Sequence, residues 1–462
     1  MSFEEYHQQC LGKLVQATEQ LQVSVTDEQL AKIAELIVQT MTGPWRYFHT
    51  PKHIFMVGGQ EDAIEVLAAL FHDVVYVQVD QSVNFNLSYY IAPFIRQSCE
   101  QLVIRETAEL PRDSMFEMVA DVFGFVPGQV LSPFTGQNEF LSALVAAKVY
   151  ESFLDRGLIL QVIACIEATI PFRSKSPSGL SAIEQLYQRF QAANEKFEVG
   201  LTETEIIQGI QRAVRLANRD VSSFADPSSA RFLDGTWSLL PETNHHFDSP
   251  NSYSVHDYRV ALQKMEGFMN FLNPELVFQQ FKGEPDDLTY HKLVARAKKN
   301  IAIARLYLGS KLFTIAFLEA LSLRLGKQIP LAMMMGELPS LSLSVDKLED
   351  SLPNISHSHT LKTDIEQEVF TLLEFGRCET SKYDLNNSPL TTFMIKFLGF
   401  EEVQKLGDQS KQFFQGNLAA EDFLDQCNEQ TVKVVIDGIL KVFDSRKAAL
   451  LKVSSPQVLV QN

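Results

Sequence analysis

The strongest constraint on the fold is the spacing of apolar residues, which recur every three or four positions along most of the chain. This spacing places them on one face of an α-helix. Gly and Pro, which most often interrupt helices, number 22 and 18 among 462 residues, below an average combined usage of about 12%. The predicted fold class is therefore all-α. Helices are predicted over residues 26–41, 61–71, 138–155, 157–170, 202–217, 255–271 and 290–325, and residues 74–79 could form a strand.

The predicted domain boundary lies in a segment rich in Ser, Leu and Pro, residues 338–360, which is typical of a linker. It separates a large helical domain, residues 1–337, from a C-terminal helical region, residues 361–462. No motif in the C-terminal region indicates a chemistry. Its amphipathic pattern suits partner binding or self-association, so a homo-oligomer is one expectation.

The charge and the cysteine pattern exclude several classes of protein. A net charge of −17 argues against non-specific nucleic acid binding and against an anionic membrane surface, because both favour basic patches. The five cysteines are scattered and form no CxxC pair, which indicates a reducing compartment. The first residues show no signal-peptide pattern, and no uninterrupted apolar run has the length of a membrane span. We therefore expect a cytoplasmic protein without a membrane partner.

Two His-Asp pairs occur in the chain, and their surroundings differ. His256-Asp257 lies in a polar stretch, and we expect it to mark the start of a helix. His72-Asp73 instead follows the apolar run 63–71, where a buried polar pair needs partners. An adjacent His and Asp at a helix end can direct both side chains at one metal ion. The alternative is a helix-end pair that neighbouring polar groups satisfy.

Two acidic residues occupy positions where the helical pattern favours apolar side chains. Thr202 is predicted to cap a helix whose apolar stripe continues in steps of three and four to Asp220, and a second stripe continues to Glu167. A buried carboxylate is costly unless it is paired or bound to a metal. Asp220 could thus bind a metal or form an ion pair, for example with Arg219. Glu167 could bind a metal, transfer a proton, or pair with Arg or Lys.

Two segments carry a resemblance to a known family. RYFHTPKHI, residues 46–54, followed by ALFHDVVY, residues 69–76, is similar to the small HD hydrolases that carry a YHxxxH element before the HD pair. Phe48 stands in the Tyr position. These enzymes belong to the HD superfamily of metal-dependent phosphohydrolases, and the resemblance covers about residues 40–225. It implies an HD-type helical bundle with additional C-terminal helices.

The resemblance also implies a ligand set of the form H…HD…D, which His53, His72, Asp73 and Asp220 match. Members with two metal ions use extra histidines between the HD pair and the last Asp. None lies between His72 and His245 here, so we expect one divalent ion, Mn²⁺, Fe²⁺, Zn²⁺, Ni²⁺, Co²⁺ or Mg²⁺.

The activity that follows is hydrolysis of a nucleotide-like or other small phosphate ester, a phosphomonoester or a phosphodiester, through a metal-activated water. Asp73 could share that water, and Glu167 could move a proton. Basic residues beside the ligands could bind the phosphate, and these are Arg46, His49, Lys52 and Arg219, with Arg173 as a further candidate. His49 lies four residues before His53, so one helical face could hold both residues. It could therefore equally be a metal ligand or a residue that supports the ligands.

Two other hypotheses stay open at this point. The acidic residues that usually follow the HD pair are replaced here by Asn84, Asn86 and Ser88. This replacement supports a catalytically degenerate HD scaffold that senses a nucleotide or binds a protein. The third hypothesis is a purely structural helical protein.

Overall fold

The computed structural model describes residues 2–98, 101–248, 253–325, 329–335, 347–355, 359–381 and 383–442. Within these ranges the backbone forms twenty α-helices, five short 3₁₀ helices and one two-stranded sheet. The predicted all-α class is therefore confirmed.

The chain divides into two compact units, and each unit combines two stretches of sequence. Unit 1 comprises Met1–Ala225 and Leu272–Lys298, and unit 2 comprises Asp226–Phe271 and Lys299–Asn462. This division differs from the predicted domains, 1–337 and 361–462. The reason is a core shared by segments on both sides of the predicted linker. In unit 2 the buried Trp237 packs on Tyr307 and donates a hydrogen bond to Asp384.

The predicted linker, residues 338–360, lies partly outside the described residues, at 338–346 and 356–358. Its described part contains the helix Leu348–Ser351, which packs on the helix Glu429–Val442. Leu348 is buried in that contact. This part of the segment is therefore packed structure.

Within the described ranges, unit 1 contains eleven complete helices, the sheet and the first part of the helix Asp287–Arg324. The helices are α1 Phe3–Gln20, α2 Asp27–Met41, α3 Pro51–Gly58, α4 Ala63–Phe71, α5 Val77–Asp80, α6 Ser88–Ile91, α7 Ser114–Phe123, α8 Gln137–Tyr150, α9 Arg156–Ala168, α10 Ala182–Lys196 and α11 Glu203–Asp220. Strands β1 Ile95–Ser98 and β2 Gln101–Ile104 pair antiparallel, with Ile95 opposite Ile104. The sheet was not expected from the sequence, and the strand considered at 74–79 is instead occupied in part by α5.

Unit 2 contains the remaining helices. They are α12 Ser229–Thr243, α13 Val255–Phe271, the later part of α14 Asp287–Arg324, α15 Leu331–Met335, α16 Leu348–Ser351, α17 Asp364–Phe375, α18 Pro389–Phe414, α19 Ala420–Gln426 and α20 Glu429–Val442. The 3₁₀ helices of the two units are Phe85–Leu87, Pro133–Thr135, Ser222–Ala225, His245–Asp248 and Pro274–Leu276.

Helix α14 is long and apolar enough to cross a membrane, judged by its length and composition alone. Within its most apolar window, 78% of the residues are buried inside the structure. The core helix of a soluble protein has the same properties, so this helix does not decide where the protein resides.

The core of unit 1 is built around α4 and α9, which pack on each other. Every residue of α4 is buried, which explains why the run 63–71 is almost entirely apolar. Helix α9 also packs on α8 and α11. Its neighbour α11 begins with the predicted cap, because the Thr202 hydroxyl and the Glu205 carboxylate each bind the backbone N–H of the other residue. This packing brings the C-terminal ends of α4 and α11 close to α3.

Candidate metal centre

His72 occupies the C-terminal end of α4, where the last carbonyl groups of a helix lack partners within the helix. Its Nδ1–H donates a hydrogen bond to the Ala69 carbonyl, at 2.8 Å. This bond fixes the ring orientation and leaves the lone pair on Nε2. The imidazole is 1% exposed, so Nε2 lies in a buried environment.

The four predicted ligands converge although they lie far apart in the sequence. His53 Nε2 lies 3.0 Å from Asp220 Oδ1 and 3.4 Å from Asp73 Oδ2. His72 Nε2 lies 3.1 Å from Asp73 Oδ2 and 3.4 Å from Asp220 Oδ1. One ligand atom from each of the four residues can be chosen so that all lie within 4.8 Å of one another.

This geometry fits a single divalent ion. Ligand atoms at about 2.1 Å from a metal lie about 3.0 Å apart in octahedral and about 3.4 Å apart in tetrahedral coordination. The four separations between imidazole nitrogens and carboxylate oxygens, 3.0 to 3.4 Å, fall in this range. In addition, His72 Nε2 and Asp73 Oδ2 are buried and make no hydrogen bond to any group in the described part of the chain. A cation would satisfy both atoms at once.

The protonation of the cluster supports the same conclusion. Burial alone would lower the pKa of His53, but its hydrogen bond to Asp220 and the nearby carboxylate of Asp73 raise it to about 9. Burial acts against protonation of His72 too, and the carboxylates of Asp73 and Asp220 outweigh it and raise the pKa well above its usual value. In the metal-free cluster the two carboxylates thus favour a second proton on each of the two imidazoles. A divalent cation can replace these two protons without changing the net charge.

Comparisons with protein-family models, with curated proteins and with solved structures each find no match to this chain. The resemblance to the HD superfamily therefore rests on the motif and on the geometry of these four residues.

Arg46 was expected to bind phosphate, and the structure places it elsewhere. Its guanidinium donates to both carboxylate oxygens of Asp80, at 3.0 and 2.6 Å. It also donates to the backbone carbonyls of Asp73 and Val74, at 2.7 and 3.2 Å. The side chain is fully buried. The donors of Arg46 are therefore used within the protein, and they hold the backbone of Asp73, a predicted ligand.

Arg219 was also expected to bind phosphate and is likewise engaged inside unit 1. It donates to the Val57 carbonyl, at 2.7 Å, and forms an ion pair with Glu65. Glu65 is buried in the otherwise apolar helix α4, and Arg215 pairs with it from the same side. A buried carboxylate requires such partners. Arg219 therefore joins α11 to α4 rather than facing a substrate.

Glu167 was expected to bind metal or to transfer a proton. The structure realises the third alternative considered for it, since its buried carboxylate pairs with the guanidinium groups of Arg173 and Arg189. The bond from Arg173 Nη1 is 2.5 Å long. Both carboxylate oxygens of Glu167 thus accept hydrogen bonds from guanidinium donors within the protein.

The two remaining basic residues differ in position. His49 precedes the first turn of α3, so it does not share a helical face with His53 as the spacing suggested. Its ring nevertheless lies 5.8 Å from the His53 ring and 4.3 Å from the Tyr76 ring, measured between centroids. Its charge also contributes, after that of His72, to holding the pKa of Asp73 well below its usual value. Lys52 is exposed on α3.

Sequence reasoning missed Glu139, which lies in the first turn of α8. Its Oε2 is buried and has no hydrogen-bond partner among the described groups. Burial raises the pKa of Glu139 to about 7, and the negative charges of Asp73 and Asp220 add to this effect. Acids are common in the first turn of a helix because they interact favourably with the helix dipole. The position of Glu139 in the sequence therefore does not mark it as a site residue. The available signal was an acid directly before a run of apolar and small residues, 140–147.

Helix α8 is held beside the HD pair by two side chains. Ser142 Oγ accepts a hydrogen bond from the Val75 N–H, and Asn138 Oδ1 accepts one from the Val77 N–H, each at 3.1 Å. Asn138 and Ser142 lie one turn apart on the same face of the helix. The segment that follows Asp73 is thereby fixed against the helix that carries Glu139.

Proposed function

We propose that this chain is a metal-dependent phosphohydrolase of the HD type that acts on a small phosphate ester, with a nucleotide-like substrate as the first expectation. The observation that supports this most is the convergence of His53, His72, Asp73 and Asp220 on one point. Two imidazoles and two carboxylates form a donor set suited to a divalent transition metal. When bound, such an ion supplies positive charge at a phosphoryl oxygen and makes bound water more acidic.

The protein residues would bind the cation and hold its ligands in position. His53 and His72 would bind the cation through Nε2, and the Ala69 carbonyl keeps the second ring oriented. Arg46 keeps the backbone of Asp73 in place through its carbonyl. These contacts pre-organise the site before substrate arrives, which lowers the cost of binding both metal and substrate.

Proton transfer is the task that we assign to Glu139. Its pKa of about 7 allows this carboxyl group to hold or release a proton near neutral pH. The acid that the family pattern places shortly after the HD pair would thus be supplied here from α8. Glu167 would instead position Arg173 through their ion pair.

Phosphate binding would fall to His49, Lys52 and Arg173. The Nε of Arg173 is buried and has no acceptor among the described groups, whereas its Nη atoms bind Glu167. Its charge also acts on Glu139, in the direction opposite to Asp73. A guanidinium held rigidly with one unused donor is suited to a phosphate oxygen.

The test combines metal analysis with an activity screen. Protein as purified should contain or bind about one divalent metal per chain, and with that metal it should hydrolyse p-nitrophenyl phosphate, its diester or a nucleotide. Asp73→Ala should lose both the metal and the activity, whereas Glu139→Gln should keep the metal and lose activity by about 10²-fold or more. Asp121→Ala, on the surface of α7, is the matched control. Intact activity in Asp73→Ala would contradict the proposal.

The second candidate is a catalytically degenerate HD scaffold that binds a nucleotide without hydrolysing it. One observation favours it, because Arg46 and Arg219 are committed to Asp80 and Glu65. Fewer cations are then available to stabilise a phosphoryl transition state. Saturable binding of ADP or GDP with no turnover under saturating Mn²⁺ would favour this candidate over the first.

A further inference from the structure

Unit 2 contains a cavity of about 180 Å³ that the proposed function does not use. One part of its wall is apolar and includes Ile315, Leu318 and Leu331. Another part is formed by the segment that leads into α18, with Ser388 and Thr391. The cavity therefore has an apolar region beside a polar one, as small-molecule sites commonly do.

The polar region contains the N-terminal end of α18, which is not capped. Ser388 is the N-cap residue, and its side chain makes no capping hydrogen bond. Pro389 follows, and the backbone N–H groups of Leu390 and Thr391 have no backbone acceptor in the described part of unit 2. The helix continues without a break to Gly399. Unpaired N–H groups at the start of a helix of this length attract an anion.

The hydroxyl of Ser388 is a second, independent sign of a missing group. The residue is 7% exposed, and its Oγ is buried without a hydrogen-bond partner among the described atoms. An unsatisfied buried hydroxyl is destabilising. A ligand in the cavity that accepts a hydrogen bond from Ser388 would remove this cost.

The charges that line the cavity limit the charge of the ligand. Lys311 is 5% exposed, and its Nζ lies 3.0 Å from Asp384 Oδ2. The same carboxylate oxygen accepts hydrogen bonds from Trp237 Nε1 and Tyr258 Oη, at 2.7 and 2.6 Å. Lys311 and Asp384 thus balance each other, and the helix end adds only about half a positive charge. This arrangement suits one negative charge better than the two of a phosphate monoester.

We propose that this cavity binds a small organic carboxylate with an apolar body. The carboxylate accepts hydrogen bonds from the Leu390 and Thr391 N–H groups and from the Ser388 hydroxyl. The apolar body lies against Ile315 and Leu318. The site is separate from the candidate metal centre, because all of its lining residues belong to unit 2.

The test uses 4-fluorobenzoate as the probe. Its binding to the full-length chain is monitored by fluorine NMR. It should bind saturably, and its neutral counterpart 4-fluorobenzamide should bind at least about tenfold more weakly. Ser388→Ala should weaken 4-fluorobenzoate binding by about tenfold, since a hydrogen bond to a charged group is lost. Ser410→Ala, in the same helix but bonded to the Gly407 carbonyl, is the matched control and should bind normally.

Two further variants keep the result interpretable. Ala332→Phe should fill the cavity and abolish binding of the probe. It replaces Ser388→Ala as the test variant if Ser388→Ala does not fold. Asp73→Ala should bind the probe normally, which separates this site from the candidate metal centre. Equal binding of the carboxylate and the amide, or full binding by Ser388→Ala and Ala332→Phe, would overturn the proposal. So would absence of saturable binding by the unaltered chain.

Discussion

Replacement of Asp220 by Asn keeps the shape of this side chain and removes its negative charge. Burial alone would raise the pKa of Asp220, but His53 and His72 lower it to about 2 from an ordinary value of 3.8. This difference corresponds to roughly 2 kcal/mol of stability, at about 1.36 kcal/mol for each pH unit. The contribution is present above pH 3.8 and is lost as the pH falls towards 2. At neutral pH the metal-free variant should therefore be less stable by up to roughly 2 kcal/mol.

The effect of Asp220→Asn on metal affinity should be larger. Loss of an outer partner of a metal ligand typically lowers affinity by about 10- to 100-fold, so loss of a charged ligand should lower it by more than about 100-fold. A metal at about 100 times the dissociation constant of the unaltered protein stabilises that protein by roughly 2.7 kcal/mol. The same concentration should stabilise the variant by about 0.4 kcal/mol or less.

The two tryptophans of the chain allow this effect to be measured in unit 1 alone. Trp45 lies in unit 1 and Trp237 in unit 2, so Trp237→Phe leaves a single fluorescent reporter beside the candidate site. Denaturant unfolding of this background should be followed with and without Zn²⁺ or Mn²⁺. Asp121→Asn, whose carboxylate pairs with Lys196 on the surface, should lose less than about 1 kcal/mol and keep the full metal effect.

One outcome would refute the reasoning about Asp220. If Asp220→Asn retains metal stabilisation close to that of the Asp121→Asn control, its carboxylate is not a ligand. The approach of Asp220 to His53 would then be a buried ion pair and nothing more.

Three further predictions concern other parts of the site. Metal affinity should rise as the pH rises from 6.5 to about 9, because the proton on His53 must leave before the metal binds, and calorimetry at several pH values checks this. The stability of metal-free unit 1 should fall over the same window, since a raised pKa stabilises the fold only while the group is protonated. Arg46→Met should cost about 3–5 kcal/mol in Trp45-monitored unfolding, because Asp80 loses its partner.

Features that depend on local sequence were predicted well. The stripe in α11 continued to Asp220, and the structure places this carboxylate against His53. The helix that starts at Val255 has Asp257 in its first turn, as its polar surroundings indicated. Periodicity and capping depend on residues three or four positions apart, which a single sequence displays directly.

Long-range pairings that the resemblance did not imply were not predicted. The partner of Arg46 is Asp80, and the partner of Arg219 is Glu65, more than 150 residues away in the sequence. An arginine near a ligand has the same local sequence whether it binds phosphate or a buried carboxylate. The division into units differs from the predicted domains for the same reason, because it depends on which helices share a core.

The central claim is that four side chains bind one cation, and X-ray absorption of protein loaded with one equivalent of Zn²⁺ tests it most directly. The account predicts a shell with two imidazole nitrogens and two carboxylate oxygens at about 2.0–2.2 Å. It also predicts that this shell disappears in Asp73→Ala. A shell without imidazole, or an unchanged spectrum in that variant, would contradict the claim.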